Sequence, residues 1–269
     1  MQSALRSPLF DSVAHWLGLL PADRFASIAE LNALVGPALK SGAGVPLVFV
    51  EAPAAREAYE ATVYRTGCVP TRERNWHDLF NALVWLAFPH TKATLNRRHC
   101  EELGRNDHSA GRRGTARDVL TLFDEGGVIV ASSDASLLAL LRRFQWKTLF
   151  WERRAQVLEH MRFFVFGHAI LEKALQPYKA VTAKALLLEV PGSFASAPLA
   201  AQIAESDERA ARWFSAPEAL ASTQALSPLP VLGVPGWADN GASAFYDDAQ
   251  VFRSGYRRQG NAGTVGSMP

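Results

Sequence analysis

The sequence has little sulfur and almost no net charge. Among 269 residues the only cysteines are Cys68 and Cys100, and they form no CxxC pair and no zinc-ligand spacing. That argues against a disulfide framework and a zinc-stapled mini-domain, and a reducing compartment suits these cysteines best. Lys and Arg total 28 against 26 Asp and Glu, with the signs interspersed. A balance of +2 gives no nucleic-acid coat and no acidic tail. Long apolar runs are missing too. The most apolar stretch, Met161 to Leu175, is interrupted by Gly167, His168, Glu172 and Lys173, and is too short and too polar to cross a bilayer. No basic segment leads into an apolar one near Met1, so the expectation is a chain without a signal peptide, working in the cytoplasm. HExxH, the P-loop, GxGxxG and GxSxG are all absent.

What is present is a 48% hydrophobic chain, long enough for one large domain or two small ones. Helical spacing marks residues 11–20 and 23–34, the second through Phe25, Ile28, Leu31 and Leu34. Pro21 separates them, and Gly36-Pro37 ends the second. Residues 46–50 read as a buried strand. Residues 55–64 fit strand or helix, and Thr66-Gly67 and Pro70 then break the chain. A helix over 76–88 meets Pro89, and a second runs from about 91 to 103. A polar loop is expected over 104–114. Thr115 and Asp118 resemble a capping box for a helix ending at Gly126. Gly127 to Ala131 is the clearest strand, and Ser133-Asp134 opens a helix over 135–144. Residues 154–175 read as helical, or as a helix and a strand joined at Gly167. Residues 184–190 suit a strand and 196–213 an amphipathic helix. Beyond Pro217 the chain reads as irregular wrapping. No repeat and no strict strand–helix alternation is visible, so the expected class is α+β, several helices around a small sheet. The expected boundaries are one domain over 9–253 and a disordered tail over 254–269.

Ionisable residues recur at helical spacing inside apolar helices, where they cost free energy unless partnered. His77 and Asn81 share a face of the 76–88 helix. Asp78 beside His77 is an arrangement that can fix an imidazole tautomer or support a metal. Lys92, Asn96 and His99 line one stripe of the next helix, and His168 and Glu172 stand one turn apart behind Gly167. A histidine and a carboxylate so placed can act as a base and its orienter or ligate one ion. The candidate catalytic set is therefore His77, Asp78, His168 and Glu172. The candidate ligand-binding set is Asn81, Lys92, Asn96, His99 and Lys173, with Lys92 or Lys173 as anion holder.

A plain structural account covers the same letters. His77-Asp78 can cap a helix, Asn81 and Asn96 can cross-link two helices, and His168 with Glu172 can form a solvated face. Asn96-Arg97-Arg98-His99 has the residue types of an HNH nuclease fragment but sits on a helix without the strand pair that motif needs. Arg105, Arg112, Arg113 and Arg117 could meet phosphates or RNA, yet no aromatic residue is interleaved. Asp247-Asp248 could bind a cation, or the aromatics around them could dock a terminal segment.

The strings NWHDLFNALVWLAFPHTKATLNRRH, GVIVASSD, FQWKTLFW, FGHAILEKAL and FYDDAQVFR, in this order, resemble the bacterial family called domain of unknown function 3025. The likeness runs from about Asp11 to Arg253. It implies one domain across the chain and brings no activity with it. The functional expectation is an enzyme of hydrolase or transferase type with a His/Asp/Asn/Glu/Lys pocket for a small molecule. The other reading is a non-catalytic ligand- or protein-binding domain using Trp76, Trp85, Trp146 and Trp151. Neither a cofactor, a metal nor an oligomeric state is legible, and no membrane or strong nucleic-acid partner is expected.

Overall fold

A computed structural model describes residues 4–53, 59–104 and 112–254. The class is α+β: helices surround two small sheets in a single domain. The predicted loop tip over 105–111 and the predicted tail from 255 lie outside the described residues, as do the side chains of Arg112 and Arg113.

The N-terminal helices are shorter than their periodicity suggests. Helix α1 is Ala14–Gly18 and α2 is Ile28–Ala33. A capping box sets the start of α2: Glu30 N–H donates to Ser27 Oγ, and Ser27 N–H donates to Glu30 Oε2. Strand β1 (Val48–Glu51) leads to α3 (Tyr59–Thr66), so the ambiguous 55–64 segment is helical where it is described. Thr66-Gly67 does not end regular structure. It turns the chain, with Gly67 at φ +71°, into β2 (Cys68–Thr71), which pairs parallel to β1. Pro70 is tolerated because this sheet has only edge strands.

Helix α4 (Trp76–Ala87) is buried continuously from Leu79 to Ala87, as expected of a helix apolar on nearly every face. Asn75 caps it by accepting the Asp78 N–H, so the cap is not His77-Asp78. Helix α5 (Pro89–Gly104) follows at once, with proline at its first position. Helix α6 (Arg112–Gly126) begins upstream of Thr115, which therefore lies inside the helix rather than capping it.

Strand β3 (Gly127–Ser132) is wholly buried at the centre of a four-stranded sheet ordered β4-β3-β5-β6. Asp134 caps α7 (Ala135–Arg142). The 154–175 segment contains more than one junction: α8 (Arg154–His160), β4 (Met161–Val165) and α9 (His168–Ala174). Strand β5 is Thr182–Glu189, α10 is Leu199–Ser215, and β6 (Ser227–Pro230) gives regular structure to part of the segment read as irregular. Strand β4 is antiparallel to β3, β5 is parallel to β3, and β6 is antiparallel to β5.

Two junctions position the site. Asp207 of α10 accepts the main-chain N–H groups of His90 and Thr91 at 2.9 and 2.7 Å, fixing the α4–α5 corner. Phe166 and Gly167 both donate to the Gly127 carbonyl, at 3.0 and 2.8 Å. A Cβ on Gly167 would meet the Glu125 carbonyl oxygen at 2.5 Å, so only glycine lets α9 begin against the end of α6. Phe123, Phe166 and Phe88 pack behind this junction.

Candidate functional site

The pinned start of α9 brings His168 beside Asp124 and Glu125, the last charged residues of α6, while α4 presents His77 from the other side. The two imidazoles meet edge to face with Nε2 atoms 3.0 Å apart. Glu125 Oε2 lies 3.5 Å from His168 Nε2 and 3.9 Å from His77 Nε2. Glu172, one turn along α9, accepts from His77 Nδ1 at 3.1 Å. His168 and Glu172 thus both address His77, and the expected base–orienter pair within α9 is replaced by a pair across two helices. His168 Nδ1 is buried without a hydrogen bond, 4.0 Å from Asp124 Oδ2. Burial lowers the His168 pKa to about 4, leaving a neutral ring near pH 7. Burial also raises the carboxyl pKa of Glu125.

Beneath the histidines runs a buried polar network. Lys92 donates to Asp124 Oδ1 at 2.6 Å and to Asn81 Oδ1 at 2.9 Å. Its ammonium sits 5.2 Å from the centre of the Trp85 ring. Burial opposes both charges, but their mutual attraction prevails. The Lys92 pKa lies above its ordinary value and that of Asp124 below. Asn81 donates in turn to Tyr59 Oη at 2.8 Å, and burial drives that phenol up to about 12.

These groups border a cavity of about 900 Å³, large enough for a metabolite-sized ligand. His77, Asn81, His99, Asp124, Glu125 and His168 all line it. His99, buried and with its pKa lowered by burial, stands apart from the His77–His168 pair. Asp78 also lines the cavity, but it is tied to Arg72, which donates through N, Nε and Nη2 at 2.7–2.8 Å. It does not orient His77, because Arg72 satisfies both of its oxygens. Asn96 lies outside the lining: it donates to the main-chain and side-chain oxygens of Glu60 and accepts from Gly42 N–H, cross-linking elements. Lys173 is exposed and not part of the wall.

A family model described as Protein of unknown function (DUF3025) matches residues 47–256. The chain belongs to this family. Every residue of the DUF3025 cluster, from His77 to Glu172, falls within the matched region. No match was found among curated proteins or among solved structures.

Sequence reasoning missed Asp124, Glu125, Arg72 and Tyr59. A signal for the first two was available: two carboxylates at a helix C-terminus oppose the helix dipole, so something must hold them there. Of the other segments singled out, one described residue reaches the cavity. Arg117 lines the cavity wall. Asp247 and Asp248 bind separate lysines, Lys147 and Lys179, while Phe245, Tyr246 and Phe252 pack together. Trp85 and Trp146 are buried and Trp76 and Trp151 half-buried, so the four form no exposed patch. Among the described residues no helix is long and apolar enough to cross a membrane.

Proposed function

We propose that this DUF3025 chain is an enzyme of hydrolase or transferase type, with its reaction centre at His77, Glu125 and His168 on the wall of the cavity. The observation that carries the reading is the convergence of two imidazoles from α4 and α9 with a carboxylate from α6, all bordering one space of about 900 Å³. Such a set can draw a proton from water or from a hydroxyl. The O–H bond breaks, the oxygen bonds to an electrophilic carbon or phosphorus, and the leaving group departs with a proton. Glu172 holds His77 Nδ1–H, which turns the Nε2 lone pair inward. Asn81 and His99 offer polar contacts along the wall, and Lys92 acts from below by holding Asp124 and Asn81 in place.

The test is a panel of chromogenic esters, phosphoesters, amides and glycosides, run beside a thermal-shift screen of metabolites. The expected result is turnover of one class, lost in His77→Gln and Glu125→Gln while both variants stay folded by circular dichroism. Turnover that survives in both variants refutes the assignment. Stabilisation by a metabolite with no turnover of any class favours the non-catalytic ligand-binding domain instead.

A further inference from the structure

We infer that His77 Nε2, His168 Nε2 and Glu125 Oε2 are the ligands of one divalent transition-metal ion, zinc being the reference case. The inference deepens the proposed reaction centre without depending on turnover.

The first argument is lone-pair geometry. Glu172 takes the proton on His77 Nδ1, so a neutral His77 directs a bare lone pair from Nε2 toward His168. His168 then has two choices. With its proton on Nε2 it can donate to His77, but Nδ1 becomes a bare lone pair, buried and 4.0 Å from the Asp124 carboxylate. With its proton on Nδ1, facing Asp124, two Nε2 lone pairs oppose each other at 3.0 Å beside the Glu125 carboxylate. The first arrangement leaves a buried acceptor unsatisfied next to a negative charge. A cation between the three atoms resolves the second.

The second argument is size. The three atoms form a triangle with sides of 3.0, 3.5 and 3.9 Å. The circle through its corners has a radius of about 2.0 Å, the bond length zinc makes to imidazole nitrogen and carboxylate oxygen. Among the described residues this is the only cluster of three or more His, Cys, Asp or Glu whose ligand atoms come this close. The third argument is the surrounding shell. Glu172, hydrogen-bonded to His77 Nδ1, supplies the carboxylate–histidine arrangement that orients a ligating imidazole, and the Asp124 carboxylate stands 4.0 Å from His168 Nδ1. Two histidines and one carboxylate would leave coordination positions free for water or substrate, and the ion would supply an acidified water there near neutral pH.

The experiment uses the full chain, stripped with chelator, dialysed and titrated with ZnCl2 by calorimetry, with bound metal counted by plasma mass spectrometry. One zinc per chain is expected. Glu125→Gln and His168→Gln should each lose that site. Glu172→Gln should weaken it by about 10- to 100-fold, and Asp248→Asn, in a distant ion pair, should leave it unchanged. His168 is buried and its variant can misfold; Glu125 is half exposed, so its variant alone decides the matter. Absence of uptake by the wild type, or unchanged stoichiometry and affinity in Glu125→Gln, overturns the inference. The two proposals fail separately: zinc bound without turnover of any substrate class removes only the catalytic reading, whereas turnover by a wild type that takes up no zinc removes only the metal.

Discussion

Replacing Lys92 with methionine should destabilise the protein severely, and the reason is local. The Lys92 side chain is 3% exposed and Asp124 13%, with 2.6 Å between ammonium and carboxylate. Methionine fills much the same volume as the lysine stem, so the dominant change is the loss of the partner charge. Asp124 must then either stay ionised in a buried site or take up a proton, and both cost stability. Breaking a buried pair from one side costs about 3–5 kcal/mol. For a chain of this size that corresponds to a melting temperature lower by roughly 10 °C. The double variant Lys92→Met/Asp124→Asn removes both charges and should recover much of the loss, since a neutral amide carries a far smaller desolvation penalty. Urea denaturation of the wild type, both single variants and the double variant closes the thermodynamic cycle. Additive effects, with the double variant as unstable as the sum of the singles, would falsify the claim that the two charges hold each other in place.

Gly167→Ala should cost about 1–3 kcal/mol by overpacking, because the new methyl meets main chain at Glu125 and Gly127 rather than a movable side chain; thermal unfolding measures this, and unaltered stability contradicts the role given to that junction. Asp207→Ala strips two main-chain donors of α5 of their acceptor and should cost about 2 kcal/mol, with Asp207→Asn losing less; equal losses in the two variants would count against the capping role. Glu30 offers a pH prediction. Arg24 and the Ser27 main chain lower its pKa from 4.5 to about 2. A lowered carboxyl pKa stabilises the fold above the unfolded value, and that contribution fades as pH falls from about 4.5 toward 2. A carboxyl titration followed by NMR should place the Glu30 midpoint near the lower figure, and a midpoint above 4 sinks the prediction.

Much of the fold was legible because its periodicity is local. The apolar positions of α4, the proline corner before α5 and the apolar run of β3 read directly from spacing. Strand β4 was harder, because an apolar run follows α8 without a glycine or proline between them and periodicity alone does not separate the two. Strands β2 and β6 both contain proline, which counts against a strand unless the strand lies at an edge. The site was half legible. His77, Asn81, His99 and His168 stood out as polar residues in apolar helices, and all four line the cavity. Their partners did not follow from spacing, since those contacts join different elements: Glu172 reaches across to α4, and Asp78 turns away to Arg72. Asp124-Glu125 resembles an ordinary solvated helix end until α5 supplies Lys92 and α9 supplies His168.

Crystals of the full chain soaked in zinc chloride, with diffraction recorded on both sides of the zinc absorption edge, provide the most direct measurement. An anomalous peak enclosed by the imidazoles of residues 77 and 168 and the carboxylate of Glu125 is the predicted result. Density showing those three side chains turned apart, with zinc bound only at scattered surface positions, would contradict it.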